Sequence, residues 1–373
     1  MAAAARSAMR LCGVSSRMAA SAMPKPPARF TAAAARRAFT VSAQRPKKSS
    51  EVIKESEVPV SVYTPDSKGV ANGNSDHYSI PVKGTSRAAV ADPPIGEEDE
   101  PIVPLSAEVY SQMPATMQKM SVFGKVVIIT GGARGLGNHM ARACAEAGAK
   151  AIAIFDANQD LGDESAAELH KKTGMPVTFF KVDVRDGAAI NAAVNSVIEL
   201  YGAPDVLVNS AGIADSNIKA ETYDPALFRR LIDINLTGSF LMSQAVGRAM
   251  MAASKPGSII LVASMSGSIV NYPQEQSCYN ASKAGVIQLG KSLAAEWAKY
   301  HIRVNCISPG YMDTALNKVP ALDAQKKIWK SMTPQERLGN VDDLNGLCVF
   351  LASDSSGFMT GSNVIIDGGY TVL

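Results

Sequence analysis

Thr130-Gly131-Gly132-Ala133-Arg134-Gly135-Leu136-Gly137 is the stretch on which the reading of this chain turns. A β-branched run, Val126-Val127-Ile128-Ile129, leads into it, and good helix formers occupy residues 138–147 until Gly148 stops them. Strand, glycine turn and helix in that order present backbone amides at a helix start to a pyrophosphate, and a side chain at the glycine positions would block the approach. A glycine-rich turn by itself is weak evidence. Here the next apolar run ends in Asp156, about twenty residues beyond the loop, where a carboxylate accepts hydrogen bonds from a ribose.

Outward from the loop, β-branched runs alternate with segments of helical length. Strands are expected at 126–130, 151–156, 176–182, 206–209, 258–264, 303–308 and 363–366. These are mainly apolar runs rather than alternating ones, the pattern expected of strands covered on both faces. The expected fold is α/β, a single Rossmann-type doubly wound domain with a seven-stranded parallel sheet over residues 106–373. Residues 47–105, rich in Pro, Ser, Gly and charge and carrying Glu97-Glu98-Asp99-Glu100, show no sustained period and are expected to be a disordered linker.

The first 50 residues hold seven Arg and three Lys and no acidic residue. Such a basic, Ala- and Ser-rich segment has the composition of a mitochondrial presequence, expected over residues 1–46 with import to the matrix. Arg37-Ala38-Phe39-Thr40-Val41-Ser42 resembles a processing site. Removing those ten cations from the 37 Lys and Arg leaves 27 against 34 Asp and Glu, a formal charge of −7, so the remainder lacks the basic surface that nucleic-acid binding requires. Five Cys without a Cys-x-x-Cys pair and four scattered His suggest no metal site. No run reaches the roughly 18 apolar residues of a membrane span.

Asp156 favours NAD, since a carboxylate there pairs with a 2′-hydroxyl and repels a 2′-phosphate. Arg134 inside the loop argues for NADP, which stays possible.

Further markers follow in order, and with the glycine pattern they resemble the short-chain dehydrogenase/reductase family over about residues 120–373. They are Asp183-Val184; Asn209-Ser210-Ala211-Gly212; Asn235; Ser264; Tyr279-Asn280-Ala281-Ser282-Lys283; Pro309-Gly310 with Met312 and Thr314; and Asp367-Gly368-Gly369. The resemblance implies that Gly131, Arg134, Gly135, Leu136 and Gly137 hold the pyrophosphate. It places Asp156 at the adenosine ribose, and Asp183 and Val184 near adenine. It lays Asn209, Ala211 and Gly212 along the cleft and sets Pro309, Gly310, Met312 and Thr314 at the carboxamide. Ser210 departs from the family's usual second Asn.

A tyrosine is a poor base near neutrality, with an ordinary pKa near 10, so an adjacent cation is needed to favour its phenolate. Lys283 lies four residues after Tyr279 on one helix face, where its ammonium is expected to lower the phenol pKa and bind the nicotinamide ribose. Ser264, at a strand end, is expected to hold the substrate oxygen; the resemblance selects it over Ser266 because Gly267 follows three residues later. Asn235, by resemblance, anchors a water linking Lys283 to solvent. Cys278 reads as a packed thiol.

Specificity is expected from residues 213–217, 272–276 and 315–334. The stretches 271–280 and 307–314 look like the fungal polyol and ketose branch of the family, which includes D-arabinitol and mannitol 2-dehydrogenases and sorbose or xylulose reductases. The small-molecule substrate expected is a polyol or ketose, D-arabinitol and D-ribulose first, with Gln274, Glu275 and Gln276 either pairing its hydroxyls or capping a surface loop. Two alternatives stand beside it: a mitochondrial NADPH-dependent 3-oxoacyl carrier reductase, and a non-catalytic dinucleotide-binding scaffold. The resemblance also implies a homotetramer.

Overall fold

The computed structural model describes residues 56–60, 78–82, 102–215, 217–314 and 322–372. The presequence expected at 1–46 lies outside them, as do residues 315–321 and Ser216 of the expected specificity segments. Within residues 47–105 the structure describes two short segments and the start of the packed chain. Ser56–Val60 and Tyr78–Val82 pair as antiparallel strands. Their alternation is interrupted by Pro59 and Pro81, which a two-stranded ribbon tolerates because each strand keeps an open edge. The packed chain also begins before residue 106, since Ile102 is buried among the core side chains and Leu105 N–H bonds to the Glu146 carbonyl at 3.0 Å.

The main sheet has β1 (Val126–Thr130), β2 (Ala151–Asp156), β3 (Val177–Lys181), β4 (Val206–Asn209), β5 (Gly257–Val262), β6 (Ile302–Pro309) and β7 (Asn363–Ile366). All pairs are parallel, in the order β3-β2-β1-β4-β5-β6-β7. The expected doubly wound architecture is observed, with strand ends shifted by one or two residues. The shift matters at Ser264: β5 stops at Val262, and Ser264 instead caps a 3₁₀ turn, Met265–Gly267, by accepting from Ser266 N–H.

Successive residues of a strand face opposite sides, so a strand buried on both sides favours apolar residues on both faces. On one face Ile128, Phe155, Leu207, Ile259, Leu261 and Val304 pack against α3 (Gly187–Tyr201), α5 (Gly238–Ala252) and α6 (Ser277–Trp297). On the other, Ile129, Ile154, Val208, Ile260 and Ile307 pack against α1 (Gly135–Glu146), α2 (Gln159–Thr173) and α8 (Asn345–Ala352). Between α3 and α5 lies α4 (Pro225–Ile232), and α7 (Asp323–Met332) follows β6.

Helix α1 begins at Gly135, three residues earlier than the helix formers indicated, so its first turn is made of the glycine loop itself. Gly131 has φ +64, and a Cβ there would stand 2.9 Å from Ala211 Cα. A Cβ on Gly137 would reach 2.3 Å from the Gly131 carbonyl oxygen. Because backbone is in the way, Gly137→Ala forces a backbone shift, and a loss of about 1–3 kcal/mol of unfolding free energy is expected in urea denaturation. An unchanged transition would show that the loop is looser than described.

Candidate active site

The strand order reverses between β1 and β4, and the crevice at their carboxyl ends is where a doubly wound sheet takes its ligand. Thr130, buried, fixes this crevice: its hydroxyl donates to Asn209 Oδ1 at 3.0 Å and accepts from the amides of Ser210 and Ala211 at 3.0 and 2.9 Å. Asn209 Nδ2 donates to the Ser239 carbonyl at 2.9 Å. Gly212 leads from here toward the catalytic helix, since a Cβ on it would lie 3.2 Å from Asn235 Oδ1 and 3.6 Å from Lys283 Nζ.

A dinucleotide fits the glycine loop on two observations. The first turn of α1 carries neither a side-chain cap on Arg134 nor an acidic residue, so its amides and the positive end of its dipole are free for phosphate. The close backbone approaches at Gly131 and Gly137 leave no room for a Cβ. Leu136 packs its side chain into the core below. Asp156 accepts from Ala133 N–H at 3.3 Å and from Asn158 N–H at 3.0 Å, which holds its carboxylate at the loop. Arg134 is exposed and makes no hydrogen bond or ion pair among the described residues.

Asp183, expected near adenine, turns its carboxylate onto Arg185, which donates Nε at 3.0 and 3.1 Å, and that guanidinium holds its pKa below the usual range. Val184 is buried against Gly238, where a Cβ would clash at 2.6 Å. At the end of β6, Pro309 closes the strand and Gly310 N–H bonds to the Ile366 carbonyl at 3.0 Å. Met312 is buried and bridges to Gly339, and Thr314 N–H bonds to the Met312 carbonyl at 3.0 Å.

Ser264, Tyr279 and Lys283 come together. Ser264 lies beside the Tyr279 phenol, whose pKa it lowers, and Lys283 Nζ lies 5.6 Å from the centroid of the Tyr279 ring. Lys283 is buried and donates to the Val262 carbonyl at 2.9 Å. Ser266, the rival of Ser264, accepts instead from Gln276 at 3.2 Å. The expected acidification of the phenol by Lys283 is not seen. Burial raises the Tyr279 pKa and Ser264 lowers it only in part, while burial pulls Lys283 down to about 8, with Cys306 acting the other way. Burial of both groups is the physical reason, and no carboxylate among the described residues pairs with Lys283 to offset it.

Asn235 is fully engaged. It sits in a π-helical turn, Asp233–Thr237, between α4 and α5, rather than in the regular helix expected. Its Oδ1 accepts from Ile213 N–H at 2.9 Å, and its Nδ2 donates to the Ile213 carbonyl at 2.9 Å and to Ser282 Oγ at 3.1 Å. The wide turn aims the amide sideways at the crevice loop and at α6. Its helical spacing in sequence gave no sign of the extra residue, although such bulges recur at functional sites.

The loop before α6 also departs from expectation. Gln276 is buried and donates to Ser266, Asn271 and Asn280, so it holds protein groups rather than a ligand. Gln274 Oε1 accepts from the Tyr311 hydroxyl at 3.2 Å, and Glu275 remains exposed while its carbonyl accepts from Ile218 N–H at 3.2 Å. Asp215 accepts from the Tyr223 hydroxyl. Cys278 is a packed thiol, fully buried with Sγ 3.6 Å from the Phe228 carbonyl, and burial pushes it up. Tyr311 and Trp329, which sequence reasoning did not single out, stack at 4.2 Å.

The fold and this cluster define a nicotinamide dinucleotide-dependent oxidoreductase acting on CH–OH groups. A family model described as enoyl-(acyl carrier protein) reductase matches residues 131–371. The NADP-dependent mannitol dehydrogenase of Alternaria alternata is 42% identical over 255 residues, which is 68% of this chain and 94% of that protein. The D-arabinitol 2-dehydrogenase (ribulose-forming) of Candida tropicalis is 40% identical over 262 residues, 66% of this chain and 92% of that protein. A gluconate 5-dehydrogenase from Burkholderia cenocepacia J2315, solved with NADP and tartrate, superposes with a TM-score of 0.65 at 34% identity, covering 69% of this chain and 99% of that one. The chain belongs to the short-chain dehydrogenase/reductase family.

The depressed Lys283 pKa has a consequence for stability. Between about 8 and the ordinary 10.5, unfolded Lys283 holds a proton that folded Lys283 has lost, so rising pH stabilises the fold through this group. Below about 8 the buried charge carries its full desolvation cost. The stability of the wild type relative to Lys283→Met is therefore expected to increase from pH 8 to 10.5, by up to about 3 kcal/mol, in paired urea titrations. A constant difference across that range would contradict the burial of the amine.

Proposed function

We propose that the protein interconverts a polyol and a ketose, D-arabinitol and D-ribulose being the first pair to test, with Tyr279 as general acid and base. The observation that carries this reading is the juxtaposition of Ser264 and Tyr279 beside a buried Lys283, next to the crevice that Thr130 and Asn209 build. The dinucleotide supplies a hydride acceptor for oxidation and a donor for reduction. Ser264 holds the substrate oxygen, and Tyr279 takes its proton during oxidation and returns one during reduction. Lys283 binds the ribose and, while charged, favours the phenolate. Asn235, bonded to Ile213 and Ser282, braces α6 against the crevice loop. Polyol chemistry is supported by relatives about 40% identical over nearly their whole length, named as mannitol and D-arabinitol dehydrogenases.

NAD is the cofactor we favour, because the Asp156 carboxylate is held at the glycine loop where it would face a 2′-phosphate. NADP is the second reading, favoured by the exposed and unpaired Arg134 and by a relative named as NADP-dependent. The acid-free basic stretch at residues 1–50 supports import into the mitochondrial matrix, which a fluorescent fusion of that segment would test.

Three experiments on the purified full chain decide these points. Tyr279→Phe is expected to bind NADH normally while kcat falls by roughly 10²–10⁴-fold; retention of activity within tenfold would remove Tyr279 from the chemistry. A panel of pentitols, hexitols, ketoses and 3-oxoacyl thioesters, run with both cofactors, is expected to show the highest kcat/KM for D-arabinitol with NAD. Asp156→Ser is expected to move the NAD to NADP ratio toward NADP by about tenfold or more, since facing like charges costs several kcal/mol. Turnover of thioesters alone would end the polyol reading, and NADP preference in the wild type would end the NAD assignment.

A further inference from the structure

Gln276 stands immediately before α6, three residues ahead of Tyr279, and is 7% exposed. Its Nε2 lies 3.2 Å from Ser266 Oγ, 2.7 Å from Asn271 Oδ1 and 2.9 Å from Asn280 Oδ1. These acceptors belong to three different pieces of chain: the turn capped by Ser264, the loop beyond it, and the first turn of α6. An amide with two hydrogens that serves three acceptors is held in one orientation.

The network continues from Asn271, which is 1% exposed and donates Nδ2 to the Tyr311 hydroxyl at 3.1 Å. Tyr311 in turn donates to Gln274 Oε1 at 3.2 Å, and its ring stacks on Trp329 of α7 with an interplanar angle of 10°. An unbroken chain of neutral hydrogen bonds thus joins the turn after β5 to the segment after β6, and ring stacking carries it on to α7. On the far side the Ser264 hydroxyl accepts from Ser266 N–H at 3.1 Å and meets Tyr279, while the Ser264 carbonyl accepts from Gly267 N–H at 3.0 Å within the same turn. Any displacement of Ser266 is therefore passed to Ser264, and misplacing a reacting group by about 1 Å costs roughly 10²-fold in rate.

We propose that Gln276 is a positioning residue for the reaction: through Ser266 and Asn271 it keeps Ser264 in register with Tyr279, and through Tyr311 it couples that register to the segment after β6. This rests on the roles given above to Ser264 and Tyr279. It differs from them in naming groups that are bonded to other protein side chains and set the geometry of those that react.

The test uses the full chain and whichever alcohol the wild type oxidises fastest, so that an error in the polyol assignment leaves it intact. Gln276→Met keeps length and burial while deleting both polar ends of the amide. Its kcat is expected to fall about 100-fold, with the NADH dissociation constant, read by fluorescence, unchanged within about twofold. The rise of oxidation rate with pH is expected to move to higher pH, because the Ser264 interaction that favours the phenolate is weakened. Lys283, the charged group facing Tyr279, and Cys306 beside it are untouched by the substitution. A purely structural role would reduce amplitude with the folded fraction and leave the profile in place; that result, or a kcat loss under about threefold, overturns the proposal. Tyr311→Phe removes one hydroxyl and is expected to shift the profile the same way by less, and the two substitutions together are expected to be non-additive. Additive effects would overturn the coupling to Tyr311. Should Gln276→Met fail to fold, Tyr311→Phe decides alone, an unmoved profile counting against the proposal. If Tyr279→Phe retains activity, it is the catalytic assignment that fails, a separate outcome.

Discussion

Helix α6 runs so close to the turn after β5 that a Cβ on Gly267 would stand 2.7 Å from the Lys283 carbonyl carbon and 2.8 Å from the Ala284 nitrogen. Nothing larger than hydrogen fits between the two backbones. That approach brings the turn capped by Ser264 against the helix face carrying Tyr279 and Lys283, and the Lys283 amine closes it further by donating to the Val262 carbonyl at the end of β5. A buried amine with no counter-charge is costly, and the hydrogen bond to a strand end offsets only part of that cost. The acid and base chemistry thus sits where helix, turn and strand end are pressed together.

The dinucleotide half is built by the same device. Gly131 and Gly137 let α1 close onto the loop, while Thr130 and Asn209 tie β1 to β4 across the switch point. Gly212 stands between the halves, within reach of both Asn235 and Lys283. A ligand lying along the crevice would pass from free amides at the start of α1 to the buried hydroxyls and amine of the catalytic cluster, without a metal ion being required by any residue cluster among the described residues.

The fold was readable because a parallel sheet covered on both sides favours apolar residues on both faces of its strands, and the runs at 126–129, 151–155 and 206–208 satisfy that, each followed at its carboxyl end by a polar residue, Thr130, Asp156 or Asn209. Ser264 was read as the last residue of a strand that in fact stops two residues earlier, because Ala263 and Ser264 continue the small-residue pattern; only the capping bond from Ser266 N–H reveals the turn. Tyr279 and Lys283 were readable from their spacing. The π turn at Asn235 was not, since one extra residue per turn leaves no mark on composition. For Gln276 both substrate pairing and surface-loop capping stayed open, because a polar residue near a site fits either. Its burial depends on Asn271 and Asn280 nearby and on Tyr311 about thirty residues away, a convergence that spacing does not encode. The pairing of Ser56–Val60 with Tyr78–Val82 was hidden by a proline in each strand.

The central claim is that the Tyr279 hydroxyl, aligned by Ser264, faces the reactive end of a dinucleotide bound across the switch point. A crystal structure of the full chain with NADH and a substrate alcohol or its ketone tests it most directly. The account predicts the phenol oxygen and Ser264 Oγ both in hydrogen-bond contact with the substrate oxygen, the reacting carbon about 3–3.5 Å from the nicotinamide carbon that exchanges hydride, and Lys283 Nζ turned to the ribose. A nicotinamide ring bound away from the turn at Ser264, with the phenol still bonded to protein alone, would contradict it.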